Sequence, residues 1–504
     1  MTTTPARGLA RPVVATAGAA PVAWREVLAI AAAVGALLAV LSTRYGLFGD
    51  EYYFLSAGAR PSAGYADQPP MLPLLAALLD HLAPGDLFVL RLPATLLTAA
   101  GTVLAALIAA ELGGGRRAQV LATAATAISP YLLETGHLLA TSTVDPFCWA
   151  VVLWLLVRWI RLDRAGTPDD RLLLWLGLVV AVALFDKVLI PVLLVSVAVG
   201  VWIAGPRRLF GRPLLWIGLA AAAATTVPTL IWQAQHGWPQ LRMGSVVAGE
   251  SSLFGDRWQF LPRALYYAGL APGAVLVVVG GWALLRYAPF RPWRALGWAA
   301  LLVTALLLAA GGRPYYLSGL YALLLAAGAV AACALPAERG RWWRWTLRPT
   351  VVVVSAVLTL LWVLPVGPSS WRAAHEFATM GQVGWGDLAA GVARQYRAVP
   401  PGTAVVAYSY WYASALEREG PAHGLSAPVH SPHRGFGYFE VPPGSVDALL
   451  VGDVRWAEQF CARLVPLPTY VGPRVTPVND RVPLALCTPS RPWAEAWPSL
   501  RYLD

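Results

Sequence analysis

Two adjacent carboxylates, Asp50 and Glu51, stand in the stretch Gly49-Asp50-Glu51-Tyr52-Tyr53, directly after the first hydrophobic run of the chain. A third, Asp67, lies in Tyr65-Ala66-Asp67-Gln68-Pro69-Pro70, where a proline pair opens the next apolar segment. A carboxylate at the edge of an apolar phase can act as a general base, because desolvation raises its pKa toward the working range. The same acids can instead be a solvated helix end and a turn before a helix. Adjacent residues on a turn face different ways, so one of Asp50 and Glu51 can take a proton while the other holds the loop. The prolines restrict the backbone after Asp67 and fix where its side chain points.

Cations and aromatics recur at comparable places. All but one of the 38 basic residues are arginines, and the exception is Lys187, in Leu184-Phe185-Asp186-Lys187-Val188. Its ammonium can bind a phosphate at a leaflet boundary, or it can snorkel and pair with Asp186. Arg313 precedes Tyr315 and Tyr316, which read as an interfacial aromatic belt beside a second phosphate contact. Asp145-Pro146 reads as a helix cap with room for a site role. His236, in Trp232-Gln233-Ala234-Gln235-His236-Gly237-Trp238-Pro239, is either a plain loop histidine or, with Asp67, a ligand for a divalent metal. No cofactor is required by the sequence. Walker loops, GxSxG, HExxH and Rossmann glycine patterns are absent from plausible contexts.

The elements that must position these residues are membrane spans. The chain has 504 residues, is 57% hydrophobic and carries 13% charged residues, with mean hydropathy +0.57. A soluble protein would carry about 25% charged residues. Residues 1–23, rich in Ala, Thr and Pro, read as a disordered cytoplasmic tail. A retained helix follows from Trp24 to Thr43, without a convincing cleavage site. Further spans begin near Leu87, Ala118, Pro146, Leu172, Val188, Leu214, Arg263, Ala295, Tyr315 and Thr350, which makes about eleven transmembrane helices. Arginines fill alternate loops: Arg116 and Arg117; Arg158, Arg161, Arg164 and Arg171; Arg207, Arg208 and Arg212; Arg286, Arg291 and Arg294; Arg339, Arg341, Arg344 and Arg348. The positive-inside rule places that side in the cytoplasm and the N-terminus with it. The net charge of +11 is therefore a topology signal and excludes a nucleic-acid partner as its explanation.

That orientation puts the Asp50–Pro70 loop, the Asp186-Lys187 turn, the Gln233–Pro262 loop and the Gly311–Pro314 turn on the outer face. It also puts residues 366–504 outside, as a more polar α/β domain following a transmembrane domain over residues 24–365. Strand-like runs occur at Thr403–Tyr408, Val446–Val451 and Val482–Leu486, with helical patterning at Trp385–Arg397. In an extracytoplasmic domain Cys461 and Cys487 can form a disulfide; Cys148 and Cys333 read as core residues.

The order of these motifs resembles the GT-C membrane glycosyltransferases, in particular the bacterial branch of protein O-mannosyltransferase-like and aminoarabinose-transferase-like enzymes. The resemblance runs from about Trp24 to Pro365 and rests on the stretches quoted, together with Thr143-Val144-Asp145 and Tyr315-Tyr316-Leu317. It implies a polytopic α-helical membrane protein in a bacterial plasma membrane. The implied activity is transfer of a sugar from a polyprenyl-phosphate donor to an extracytoplasmic protein, glycolipid or cell-wall glycan. By resemblance Asp50 is the key acid of the first external loop, Asp67 the acid before the proline pair, and Asp145 the acid opening the fourth span. Lys187 contacts the lipid phosphate and Tyr316 stands near a tyrosine of similar role. In aminoarabinose-transferase-like members a Lys usually stands where Gln68 stands; the change removes one phosphate contact.

Two other classes remain at this point. A transporter or flippase of a lipid-linked sugar would show internal repeats and broken helices near the bilayer midplane, and neither is clear in the sequence. A structural membrane partner would bind through residues 366–504 and leaves the acids and Lys187 without a role.

Overall fold

The computed structural model describes residues 18–250, 255–369, 377–473, 476 and 478–504. The expected tail therefore lies outside the described residues up to residue 17. In chain order the helices of the membrane region are α1 (Trp24–Leu41), α2 (Gly49–Gly58), α3 (Met71–Leu82), α4 (Leu87–Glu111), α5 (Arg116–Ala127), α6 (Pro130–Gly136), α7 (Thr141–Arg164), α8 (Arg171–Asp186), α9 (Ile190–Ala204), α10 (Pro213–Thr225), α11 (Val227–Gln235), α12 (Pro239–Gly249), α13 (Phe260–Arg286), α14 (Arg294–Ala309), α15 (Tyr321–Ala334) and α16 (Pro349–Val363). Each expected span falls on helical residues, but those begun near Ala118 and Leu172 correspond to α5 and α8, which are not among the helices long and apolar enough to cross a membrane. Seven helical stretches among the described residues are long and apolar enough to cross a membrane, and α3, α9 and α16 are shorter apolar helices. The chain is a multi-pass membrane protein.

Its solvent is legible in the burial pattern. Large apolar side chains such as Trp175, Leu178, Trp202, Ile217, Val353 and Leu361 stay exposed on the outer helix faces. Lipid tails accept such surfaces without penalty, while helical hydrogen bonding satisfies most of the backbone that crosses the apolar phase. α15 sits in the middle, buried on every side over most of its length.

Three features depart from the sequence reading. The Gln233–Pro262 loop contains α12, entered through a left-handed turn at Gly237 and Trp238. Asp145 is not a helix cap: α7 starts at Thr141, so Asp145 is buried inside the helix, where it accepts from Trp149 Nε1 at 3.0 Å. α13 is broken at Gly269 and Leu270, whose φ values are 136° and 49°, just before Pro272.

The helix ends that carry the arginines are joined by ion pairs. Arg116 meets Glu26 at 2.5 Å, Arg161 meets Glu111 at 2.5 Å, and Arg208 and Arg212 meet Asp163 at 2.7 and 3.3 Å. These contacts knit the start of α1, the end of α4 and the α7–α10 connections into one basic end of the bundle.

After α16 the fold changes to a five-stranded mixed sheet with strands β1 (Ala404–Ala407), β2 (Val429–His430), β3 (Ala448–Val451), β4 (Cys461–Val471) and β5 (Arg481–Pro489), in the order β2-β1-β3-β5-β4. β1 runs parallel to β2 and β3, and β5 is antiparallel to β3 and β4. The three strand-like runs became β1, β3 and β5, and the helical run became Trp385–Tyr396. β2 is too short, and β4 too exposed and proline-containing, to show a buried-strand pattern. Helix Tyr410–Glu419 leaves β1 and lies against α2. Cys461 and Cys487 are disulfide-bonded between the two strands of the β4–β5 hairpin, while Cys148 and Cys333 are free.

The disulfide closes a 26-residue separation, and constraining the unfolded chain this way is worth about 2–4 kcal/mol. Mass-tagging the denatured protein with a maleimide reagent is expected to mark only the thiols of Cys148 and Cys333 before reduction and all four afterwards. Four tags without reduction would show that the bond does not form.

Candidate functional site

The first turn of α2 positions Asp50. Glu51, at the third helical position, accepts the Phe48 backbone N–H at 2.8 Å, which satisfies a donor that the helix start leaves over. Its other partners come from elsewhere in the bundle. Arg91 donates through Nε at 2.9 Å and Nη2 at 2.6 Å, and Leu139 N–H donates at 2.8 Å. Arg91 also donates to the Ser42 carbonyl and, at 2.8 Å, to the Gly46 carbonyl. Both side chains are fully buried. All of Glu51's capacity goes to structure, and it does not line the cavity described below.

Asp50, one residue earlier, points the other way. Its Oδ1 accepts from Tyr410 Oη at 2.7 Å and Trp411 Nε1 at 2.8 Å, both on the helix that follows β1. No hydrogen bond among the described residues reaches Oδ2, which is left for another proton. Gly49 makes this possible: a Cβ there would come 2.2 Å from the Trp411 ring.

Asp67 Oδ1 accepts from Tyr53 Oη at 2.8 Å, and Tyr53 packs edge-on against Tyr410 at 5.0 Å. The Asp67 loop is pinned by α11, where Thr229 Oγ1 donates to the Ala63 carbonyl at 2.7 Å and Gln233 Nε2 to the Tyr65 carbonyl at 2.8 Å. Burial pushes the Asp67 carboxyl above the ordinary aspartate range, and the nearby Arg434 guanidinium and the Tyr53 hydroxyl only partly offset it.

Asp50, Asp67, Gln68, Lys187, Arg313, Tyr315 and Tyr316 line one cavity of about 700 Å³, together with apolar residues of α8, α9, α11 and α12. Lys187 makes no ion pair with Asp186 or any other carboxylate among the described residues; its ammonium lies 4.3 Å from the centre of the Tyr316 ring. Gln68 Nε2 is buried without a hydrogen-bond acceptor, and both oxygens of Asp186 are buried without a donor. Arg313 donates to Tyr315 Oη at 2.8 Å and pairs with Glu250. Tyr315 stacks on Tyr131 at 4.8 Å.

Two expected residues are elsewhere. Asp145 lies behind the cavity wall, bonded to Trp149. His236 faces a separate pocket with its ring stacked on Trp232, so Asp67 and His236 are not brought together, and no group of three or more His, Cys, Asp or Glu suited to a metal occurs among the described residues.

Tyr410, Trp411, Glu250 and Arg434 were not legible as site residues. Arg434 reaches the cavity from the loop after β2 with a left-handed backbone, φ 47°, a conformation that costs a non-glycine residue about 1–2 kcal/mol. Its guanidinium donates to Glu250 Oε1 at 2.6 Å, Tyr410 Oη at 3.3 Å and the Leu503 carbonyl at 3.2 Å. Glu250 thus bridges Arg434 of the sheet region and Arg313 of the membrane region. The only sequence signal was the arginine preceding Gly435 in His433-Arg434-Gly435-Phe436-Gly437-Tyr438.

Residues 67–232 match the family model described as dolichyl-phosphate-mannose-protein mannosyltransferase. No curated protein matches the chain. Among solved structures, the chain is similar to ArnT from Cupriavidus metallidurans in the apo state, at 14% identity over 94% of this chain and 99% of that one, with a TM-score of 0.59. It is also similar to the same protein bound to undecaprenyl phosphate, at 15% identity over 96% and 100%, with a TM-score of 0.57. The resemblance to the GT-C membrane glycosyltransferases therefore holds in two ways. The family model covers the region from the Asp67 loop to α11, and the fold is shared along nearly the whole chain.

Replacing Arg91 by Ala leaves Glu51 as a buried, unpaired charge, a loss of about 3–5 kcal/mol. The expected result is a sharp fall in thermal midpoint and in monodisperse protein after extraction. Asp67 gives a pH signature. Its folded pKa is raised, so its contribution to stability is present below the unfolded value of about 3.9 and is lost as pH rises through the folded value. The melting point of Asp67→Asn relative to the unsubstituted protein is expected to climb with pH across that window. Arg434→Gln, which removes the offsetting charge, is expected to extend the window upward.

Proposed function

We propose that the protein is a glycosyltransferase that moves a sugar from a polyprenyl-phosphate donor to an acceptor hydroxyl on the extracytoplasmic side of a bacterial plasma membrane. The observation that carries this reading is the pairing, in one cavity, of an aspartate oxygen without a hydrogen-bond donor and a lysine ammonium that no carboxylate touches at ion-pair distance. The first suits a base and the second suits a phosphate. The apolar cavity walls suit a prenyl chain, and the ArnT structure similar to this chain was solved with undecaprenyl phosphate bound. The arginine-rich bundle end, by the positive-inside rule, and the disulfide, by the need for an oxidising compartment, both support a cavity that faces outward.

In the proposed reaction the acceptor O–H gives its proton to Asp50 Oδ2 as the oxygen attacks the anomeric carbon. A new C–O bond forms on the face opposite the phosphate, and the sugar–phosphate C–O bond breaks with its electron pair going to the phosphate oxygen. Configuration inverts. Lys187 and Arg313 stabilise the polyprenyl phosphate that leaves, at the position where charge develops. Tyr410 and Trp411 hold the Asp50 carboxylate in orientation, and Glu51 with Arg91 holds the helix that carries it. Asp67 and Gln68 border the sugar, with Gln68 Nε2 a hydrogen-bond donor that a sugar or phosphate oxygen would satisfy. Asp145 is assigned a supporting role behind Lys187. No step needs a metal at Asp67 and His236.

A second reading has one observation behind it. The break in α13 at Gly269 and Leu270 is the kind of interrupted helix found in transporters, so a flippase for a lipid-linked sugar would share this cavity.

The test is transfer from radiolabelled polyprenyl-phosphate sugars by purified protein in lipid, with native membrane extract as acceptor source. Asp50→Asn is expected to lower the rate by about 10²–10⁴-fold, the range for a lost general base, while retaining donor binding. Lys187→Ala is expected to weaken polyprenyl-phosphate binding. Unchanged transfer in Asp50→Asn would remove Asp50 as the base. Label that crosses the bilayer without leaving its lipid would favour the flippase.

A further inference from the structure

A second pocket, of about 340 Å³, opens beside the main cavity, and the proposed reaction leaves it without a role. Its floor is aromatic. The Trp232 and His236 rings stack with centroids 3.9 Å apart at 13°, and Tyr438 meets both at 5.9 Å. Its rim is charged. Arg60 donates to Glu417 and Glu440 at 2.7 Å each and lies 5.0 Å from the centre of the Phe439 ring. Trp232 and Tyr438 are half-exposed and His236 is exposed.

The pocket is built on the elements that hold the site. Thr229, Trp232, Gln233 and His236 recur at helical spacing on one face of α11. Thr229 and Gln233 anchor the Asp67 loop, while Trp232 and His236 line the pocket. Consecutive loop residues face opposite cavities: Tyr65 and Ala66 line the pocket, Asp67 and Gln68 the main cavity. Gly435 completes the partition. It lines the pocket, and a Cβ on it would come 1.8 Å from Tyr53 Oη and 3.3 Å from Asp67 Oδ1. The pocket is thus one glycine backbone away from the Tyr53–Asp67 pair.

We infer that this pocket is the acceptor subsite and that the acceptor is a saccharide, an inference that rests on the transferase reading. Flat aromatic faces accept the apolar C–H face of a sugar ring, while the exposed Glu440 carboxylate, held in place by Arg60, accepts charge-assisted hydrogen bonds from its hydroxyls. A sugar bound here would lie across the Gly435 wall from the Tyr53–Asp67 pair, so the pocket anchors one unit of the acceptor while a further unit carries the reacting hydroxyl to Asp50 in the main cavity. The donor enters among apolar helices and the acceptor from the polar side, so the two substrates do not compete for one opening.

The experiment uses the full chain in lipid nanodiscs with soluble hexose and pentose oligosaccharides as acceptors and, in parallel, hydroxyl-bearing peptides. Trp232→Ala and Tyr438→Ala, on separate elements, are each expected to raise the oligosaccharide KM by up to about tenfold, the size of a lost aromatic contact. Affinity for polyprenyl phosphate is expected to stay unchanged in both, which also reports that each variant is folded. Transfer to oligosaccharides with KM unmoved in both variants would overturn the subsite. Transfer to peptides and not to oligosaccharides would overturn the saccharide assignment. Absence of transfer by the unsubstituted protein to either acceptor, without polyprenyl-phosphate binding, would instead remove the transferase reading on which the subsite rests.

Discussion

The buried pair of Glu51 and Arg91 is the constraint on which the cavity end of the bundle depends. An isolated charge in this interior would cost several kcal/mol, so each partner is tolerable only while the other is in place. Together they consume the free N–H of α2's start, the Leu139 N–H and the carbonyls of Ser42 and Gly46. One ion pair thereby fixes the exit of α1, the entry of α2, the first turns of α4 and the segment before α7. Asp50 inherits its direction from this arrangement. Its neighbour in sequence is locked inward, so the turn of the helix sends it toward the cavity.

Much of the cavity is visible in local sequence because its residues sit at span ends. Polar residues bounded by apolar runs stand out wherever a helix leaves the bilayer, as Asp50, Asp67, Lys187 and Arg313 do. What sequence could not separate was the role of each. Asp50 and Glu51 are equivalent by composition and differ only in what the fold brings to them: Arg91, forty residues away, for one, and Tyr410 and Trp411 for the other. Asp145 looked like a cap because a proline follows it, yet the helix begins a turn earlier and the proline is accommodated inside it. Glu250 carries no local pattern, and Arg434 only the glycine that follows it. Their proximity is a product of tertiary docking, and a left-handed arginine has no signature in a one-dimensional pattern.

The cavity is composite. Its acids come from α2 and the loop before α3, Lys187 from the end of α8, Arg313 from the turn after α14, and Arg434 from the sheet region. Glu250 joins the last two. One carboxylate shared between two guanidiniums leaves that cluster with one more positive than negative charge, while Lys187 has the buried carboxyls of Asp145 and Asp186 near it.

The bonds to Asp50 join residues 360 and 361 positions apart, and Arg434 is steadied by the backbone of Leu503. Contacts of such sequence separation form late, because a long loop must close before they return any free energy. During synthesis, α1 to α16 precede every residue of the sheet that completes the cavity. The polytopic bundle thus occupies the bilayer with Asp50 still lacking its two hydrogen-bond donors. Insertion and completion of the cavity are separated in time, and the chain carries its own delay between reaching the membrane and closing the cavity wall around Asp50.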